Sequence, residues 1–421
     1  MSKSRRSHAH SRPSRSPGER PVRAETLGVS AMGGAEDGRM RGQALPGRPN
    51  RFEVDLGAIA HNAATIRRLV GPSCKIFAAL KADAYGYGIA AVAPAVAAAG
   101  VDGISLVSVA DAVSLRQRGL EAPILLYPGV PLSAAGIAAI DEHALMPTVL
   151  DLDAGRALSA QARRTLRVFV KIDVGLERLG IDPADAAPFI QALARLPRLA
   201  VHGVYAHMHV RDNVPVAYLD WQFGRFTAVL ERLEAAGIHI PVRMTASTAV
   251  LEAASTRMNL NAVDPGRVWF GLDRGGPGLE TLDLRPAFVA LKTALVQVKH
   301  VHRDAFHDRA PFTLRPGMRI GVLPIGRFDG MVSLCCGQVL VRGVRVPILA
   351  TPSIEHTRVD VTDVPEARVG DEVVVIGRQG DSVISPEEVA ACQGLLSPGL
   401  VALAIRETVP RVYRGGGAGV V

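Results

Sequence analysis

The chain has 421 residues and a mass of 44.5 kDa, enough for two domains of ordinary size and too much for one small domain. Apolar residues make up 48% and charged residues 21%, which excludes global disorder, and no uncharged apolar run reaches the roughly 18 residues of a membrane span. The net charge of +8 is concentrated at the start, where residues 1–50 hold ten Lys and Arg against four Asp and Glu; the rest is near neutral, which disfavours nucleic-acid binding as the main role.

Residues 1–50 are rich in Ser, Arg, Pro and Gly without apolar periodicity, and a disordered basic tail is expected. Arg5-Arg6 lacks the apolar segment that a twin-arginine signal needs, and Met32 or Met40 offers another start. From residue 52 short β-branched runs alternate with Ala-rich helical stretches. Strands are predicted at Lys75–Lys81, Ile104–Ser108, Pro123–Tyr127, Pro147–Leu150, Arg167–Val174, Ala200–His207, Val242–Thr245 and Arg267–Phe270. Helices are predicted at Ala90–Gly100, Ala110–Gly119, Pro183–Leu196 and Ala217–Gly237, the last with a core-facing stripe from Leu219 to Leu233. This alternation predicts a (β/α)8 barrel of TIM type over residues 51–285, within the α/β class.

After residue 285 the texture changes to strands and Gly, Pro and Asp turns. Strands are predicted at Leu291–Val298, Arg319–Pro324, Gln338–Val341, Val344–Leu349, Val359–Val361 and Asp371–Ile376. A mostly β C-terminal domain over residues 286–415 and a flexible tail at 416–421 are expected. Cys74, Cys335, Cys336 and Cys392 are too few for a disulfide scaffold and none has metal-ligand spacing. No metal is therefore expected, and a reducing cytoplasm is the expected compartment.

Lys81 ends an apolar strand, where a barrel places its functional groups. A desolvated lysine has a lowered pKa and a nucleophilic amine, suited to a Schiff base with a carbonyl compound or pyridoxal 5'-phosphate (PLP). A snorkelling strand-end lysine fits the same position equally well.

The run Ala79-Leu80-Lys81-Ala82-Asp83-Ala84-Tyr85-Gly86-Tyr87-Gly88 resembles the PLP-lysine motif of the alanine racemase family. Arg51–Leu56 with Asn62, Lys171–Gly180, Gly203–Met208, Ile325–Gly330, Val359–Asp363, Gly370–Val373 and Val409–Tyr413 resemble further family motifs in the family's order. The resemblance implies a PLP enzyme of fold type III, with Lys81 forming the internal aldimine and serving as the base on one face of Cα. It places Tyr85 near the cofactor phosphate, Arg178 on the phenolic oxygen and His207 near the pyridine ring. Thr248 and the backbone N–H groups of Gly266 and Arg267 would hold the phosphate, on the loops where a barrel commonly binds it. His209 reads as a core histidine.

Several positions depart from the family. Its pyridine-nitrogen partner is an arginine; Asp264 stands here. An aspartate stabilises a protonated ring nitrogen and strengthens the ring as an electron sink, where an arginine cannot accept the proton. The family's opposite-face tyrosine, delivered across a dimer interface, is Arg327 here, in Gly326-Arg327-Phe328-Asp329-Gly330. Arginine is a poor proton acceptor but binds carboxylates bidentately. A substrate-side Met-Asp pair reads Ile354-Glu355, and a phosphate-binding tyrosine is replaced by Glu407, with Tyr413 beyond it.

Three readings follow. The first is an amino-acid racemase acting at Cα of a small amino acid and forming a D-amino acid, with His207 or a cysteine replacing the lost base. The second is a PLP enzyme working on one face only, as in decarboxylation or aldol-type cleavage. The third is a non-catalytic PLP-binding protein, disfavoured by retention of Lys81, Tyr85, Arg178 and His207. The resemblance further implies a head-to-tail homodimer with composite active sites, with neither nucleic acid nor membrane as a partner.

Overall fold

The computed structural model describes residues 47–129, 132–210, 215–253, 256–272, 278–302, 310, 312–315 and 317–415. The expected tails at 1–46 and 416–421 lie outside the described residues. Residues 48–50, expected in the tail, are part of the fold: Asn50 is buried, donating to Pro324 O at 2.7 Å and accepting from Thr293 at 2.6 Å.

The strands, in chain order, are β1 (Arg51–Asp55), β2 (Lys75–Ala79), β3 (Gly103–Leu106), β4 (Ile124–Leu126), β5 (Met146–Pro147), β6 (Leu166–Lys171), β7 (Leu199–Tyr205), β8 (Val242–Ala246), β9 (Ala262–Val263), β10 (Phe288–Ala294), β11 (Gln297–His300), β12 (Arg319–Leu323), β13 (Gln338–Val341), β14 (Val344–Leu349), β15 (Thr357–Asp360), β16 (Glu372–Gln379), β17 (Ser382–Ile384) and β18 (Arg411–Arg414). Strands β2–β9 form a parallel sheet in the order β5-β4-β3-β2-β9-β8-β7-β6. Its ends meet through a bridge between Thr148 and Phe169 and a 2.8 Å bond from Val149 N–H to Phe169 O. The result is the expected (β/α)8 barrel.

Burial explains why these runs are strands. The residues of β3 and β4 are buried throughout, and so are those of β2 after Lys75, as expected for parallel strands covered on both faces. Phe77, Leu125, Met146, Phe169, Tyr205, Val242, Met244 and Ala262 fill the interior as one cluster, so the barrel is a packed core rather than a pore. Short polar caps start the following helices: Ser108 accepts from Asp111 N–H at 3.0 Å and Asp151 from Ala154 N–H at 2.7 Å.

Two expectations are corrected here. Arg267–Phe270 is a 3₁₀ turn, and the eighth barrel strand is the two-residue β9 instead. Trp269 donates its indole N–H to Pro265 O at 2.7 Å and Gly271 ends the turn at φ 67°, so the apolar run coils on itself. Strand β1, assigned to the barrel from its place in the sequence, joins the other sheet. It runs antiparallel to β10 and parallel to β18 within the order β11-β12-β15-β14-β13-β16-β10-β1-β18, with β17 paired to β16. This largely antiparallel sheet is the mostly β C-terminal domain, sewn to the start of the fold by β1.

Candidate active site

The C-terminal ends of the barrel strands converge on a cluster of ionisable groups. Lys81 follows β2 after one residue. Burial lowers its pKa, Asp264 pulls it back up, and the Arg178 and Arg267 charges lower it further. The chain then enters an unusual turn. Ala82, Asp83, Ala84 and Tyr85 all have φ between 52° and 57°, a left-handed turn that costs non-glycine residues roughly 1–2 kcal/mol each. It is held by Asp83 Oδ1, which accepts from Ile89 N–H at 2.7 Å, and by burial of Ala84 and Tyr85. Strain of this kind, over-determined by its surroundings, fixes the direction in which Lys81 leaves the strand.

A second lysine stands at the end of β6. Lys171 is 7% exposed and lies 6.0 Å from the centre of the Tyr205 ring. Burial lowers its pKa to about 8, helped by the Arg178 charge. In the sequence Lys171 stands within a family-like motif and carries no site role of its own. The signal was there: a lysine closing an apolar strand, as Lys81 does.

The loop after β6 is built around Asp173. Its carboxylate accepts the N–H groups of Gly175, Leu176, Glu177 and Arg178 at 2.8–3.1 Å. Burial raises the Asp173 pKa, but these four bonds together hold it below the usual carboxylate range. The nest presents Arg178, exposed, at the barrel mouth. His207 lies two residues beyond β7. Burial, then the charges of Lys81, Lys171, Arg178 and Arg267, push its pKa down to about 4, so it is neutral at pH 7. His209 instead pairs its backbone with Gln222 and sets its ring edge-on to Tyr218.

Asp264 follows β9 directly and is 6% exposed. Burial pushes its carboxyl up to about 7, against the pull of a Tyr127 hydrogen bond and of Lys81 and Lys171. Tyr127, just after β4, donates to Asp264 Oδ2 at 2.8 Å, while Oδ1 is buried without a hydrogen-bond partner. Tyr127 also went unassigned in the sequence, although it ends an apolar strand.

The expected phosphate residues gather on the loops after β8 and β9. Gly266 packs so closely on Tyr85 that a Cβ there would come within 2.3 Å of the tyrosine oxygen. Thr248, buried, accepts the Gly266 N–H at 3.0 Å, so that N–H, expected to face phosphate, is engaged locally. Arg267 pairs with Glu252 at 3.6 Å. Tyr413, set aside in the sequence, donates to Tyr87 O at 3.1 Å beside the strained turn, and the Glu407 charge acts on Asp83.

Arg327 is placed apart from this cluster. It sits on an exposed 3₁₀ turn of the β domain; its Nε donates to Pro352 O and its backbone N–H to Ser353 O, both at 2.9 Å. Phe328 N–H bonds Ile354 O at 2.9 Å, so the divergent turn and the divergent Ile354-Glu355 pair form one surface. Among the described residues no group of three or more His, Cys, Asp or Glu could hold a metal ion, and no helix is long and apolar enough to cross a membrane.

These residues fit PLP on three observations: an amine depressed by burial, an orphaned carboxylate oxygen able to meet a ring nitrogen, and a cradle of Tyr85, Thr248 and Gly266 that any side chain at Gly266 would fill. A (β/α)8 barrel with this mouth, followed by a β domain, defines a PLP-dependent enzyme of the barrel type. The chain belongs to the alanine racemase family: its N-terminal domain model matches residues 54–274 and its C-terminal domain model residues 288–413. Alanine racemase 2 of Caldanaerobacter subterraneus subsp. tengcongensis is 35% identical over 377 residues, covering 87% of this chain and 95% of that protein. The alanine racemase of Desulfosudis oleivorans is 34% identical over 385 residues, covering 88% and 97%. Among solved structures, the Bacillus anthracis alanine racemase with bound L-Ala-P superposes with a TM-score of 0.79 at 29% identity, covering 90% of this chain and 98% of that one.

Proposed function

We propose that the protein racemises a small amino acid, alanine foremost. The observation that carries this reading is Lys81: a strand-end amine, depressed by burial, coupled to Asp264 and held by a strained turn. Alanine is supported by the relatives, which are alanine racemases, and by the L-Ala-P bound to the Bacillus anthracis protein.

Bound PLP supplies electron withdrawal that acidifies the Cα proton of an attached amino acid. The chain's part is to place acids and bases. Lys81 takes and returns a proton at Nζ, a role that the burial-lowered basicity of its amine favours. His207 is the neutral base beside it: after burial, the Lys81 charge is the largest influence on its ring. It is our candidate for the opposite-face base. Arg178 at the mouth would hold the phenolic oxygen of bound PLP, and Tyr85, Thr248 and Arg267 would hold its phosphate. Arg327, a guanidinium with donors and no acceptor, binds the substrate carboxylate.

Arg327 bonds within the β domain and not to the groups at the barrel mouth, and we infer that a second copy supplies it. We infer a head-to-tail homodimer, supported by the exposure of Phe328 (56%) and Ile354 (70%) beside Arg327. A monomeric, fully active protein in sedimentation would refute it.

A second reading, one-face chemistry, draws on Asp264 and on the lack of a proton acceptor at Arg327. One experiment separates the two. PLP-loaded protein is incubated with L-alanine and a panel of amino acids in D2O, following loss of the Cα–H signal by proton NMR and formation of D-isomer by chiral chromatography. Deuterium uptake with D-isomer supports racemisation. Uptake with retention, or a new product, refutes it in favour of one-face chemistry, and no exchange across the panel refutes both.

A further inference from the structure

We propose that Tyr127 is a positioning residue for the ring nitrogen: it clamps Asp264 through Oδ2, so that Oδ1 alone is presented to the cofactor's pyridine nitrogen and that nitrogen is held protonated. The inference rests on the site being the PLP site, and extends it to a residue outside the family motifs.

Three observations carry it. The Tyr127 hydroxyl lies 2.8 Å from Asp264 Oδ2, and Oδ1 is buried and unpartnered. The Asp264 backbone N–H bonds Ala246 O at 3.0 Å and also acts on its own carboxyl, which holds the side chain at the end of β9. The two residues follow different strands, β4 and β9, so the pair braces the barrel mouth from two sides.

Chemistry then fixes the direction of the proton. Burial and the neighbouring carboxylate push the Tyr127 phenol well above its ordinary range, so it remains a donor. A donor at Oδ2 favours the ionised carboxylate, which burial alone disfavours. An ionised Oδ1 is an acceptor only, and a protonated ring nitrogen meets it in a charge-assisted hydrogen bond, whereas an unprotonated one would oppose lone pair to lone pair. Without the Tyr127 hydroxyl, the carboxyl would hold its own proton more firmly and the ring nitrogen would lose it.

The test is the 15N chemical shift of protein reconstituted with PLP labelled at the ring nitrogen. Wild type is expected in the pyridinium range, Tyr127→Phe shifted toward neutral pyridine, and Asp264→Asn fully neutral. Incorporation of 2,3-difluorotyrosine at position 127, which keeps the hydroxyl and makes it a stronger donor, is expected to leave the signal at least as far into the pyridinium range as wild type. A neutral nitrogen in wild type, or a Tyr127→Phe shift equal to wild type, overturns the proposal. If Tyr127→Phe fails to fold, the fluorinated protein decides: a move toward neutral pyridine overturns the proposal. Failure of wild type to retain PLP on Lys81, seen by borohydride reduction and peptide mass spectrometry, would instead sink the underlying site assignment.

Discussion

Arg48 and Asp329, 281 residues apart, form a two-pronged ion pair, with Nη1 donating to Oδ2 at 2.9 Å and Nη2 to Oδ1 at 2.7 Å. The Asp329 side chain is fully buried and also accepts from Gly326 N–H at 2.9 Å and from the Thr408 hydroxyl at 2.7 Å. Arg48 thus locks the turn that carries Arg327. Arg48→Ala leaves that carboxylate without its counter-charge. Two donors remain and Arg48 is partly solvated, so the loss falls near the low end for a broken buried pair, about 3 kcal/mol. Thermal unfolding checks the stability. Limited trypsin digestion checks the location, with faster cleavage after Arg327 in the variant.

The left-handed turn after Lys81 makes a sharper prediction, because its four residues differ in burial. Ala82 is exposed, whereas the Ala84 methyl is buried. At Ala82, glycine relieves a left-handed penalty of roughly 1–2 kcal/mol and adds back about 0.5–1 kcal/mol of backbone entropy. Ala82→Gly therefore stabilises the apoprotein by about 0.5–1 kcal/mol. Ala84→Gly gains the same relief but loses buried contact and is neutral or worse. Urea denaturation of the two variants checks the order, and equal destabilisation of both would show that the turn stores no strain.

Much of this was legible before the structure, for a physical reason. Parallel strands buried on both faces read as unbroken apolar runs, and functional groups follow their C-terminal ends, so Lys81 stood out by itself, whereas His207 and Asp264 came only from the family resemblance. What escaped was non-local or locally disguised. β9 is only two residues long, Ala262–Val263, and its strand character comes from β2 and β8 on either side. Arg267–Phe270 is apolar enough for a strand, but its backbone is coiled by the Trp269 bond to Pro265. The pairing of β1 with β10 and β18 leaves no trace in Arg51–Asp55 itself. Arg48 and Asn50 have a tail's composition and a core residue's contacts. The turn at Ala82–Tyr85 contains no glycine, the usual marker of positive φ. Lys171 and Tyr127 obey the same strand-end rule as Lys81, and were passed over because nothing in their own sequence shows that they face Asp264.

Lys171 is predicted to set the charge state of its neighbours. Its ammonium lowers the pKa of both His207 and Asp264. Lys171→Met removes that charge while keeping most of the volume, so the His207 pKa rises from about 4 and the Asp264 pKa from about 7. NMR titration of the His207 ring and of a 13C-labelled Asp264 carboxyl reads both shifts directly. A downward move of either would reverse the proposed field at the barrel mouth.

His207 and Asp264 make opposite contributions to the acid stability of the apoprotein. The His207 ring titrates near 4 when folded, against 6.5 when unfolded. Between those values the unfolded chain binds a proton that the folded chain does not, so the histidine's contribution is lost as pH falls. Asp264 titrates near 7 when folded, against 3.8 when unfolded. Between those values the folded chain holds the extra proton, and its contribution to stability grows as pH falls. The two largely cancel between about pH 4 and pH 6.5. Asp264→Asn should therefore lose stability more steeply than wild type from pH 7 to pH 5, whereas His207→Asn should lose it less steeply. Urea midpoints at each pH give the comparison, and the remaining carboxylates drop out of the differences between variants. Parallel curves for all three proteins would mean that neither group carries its shifted pKa in the folded chain.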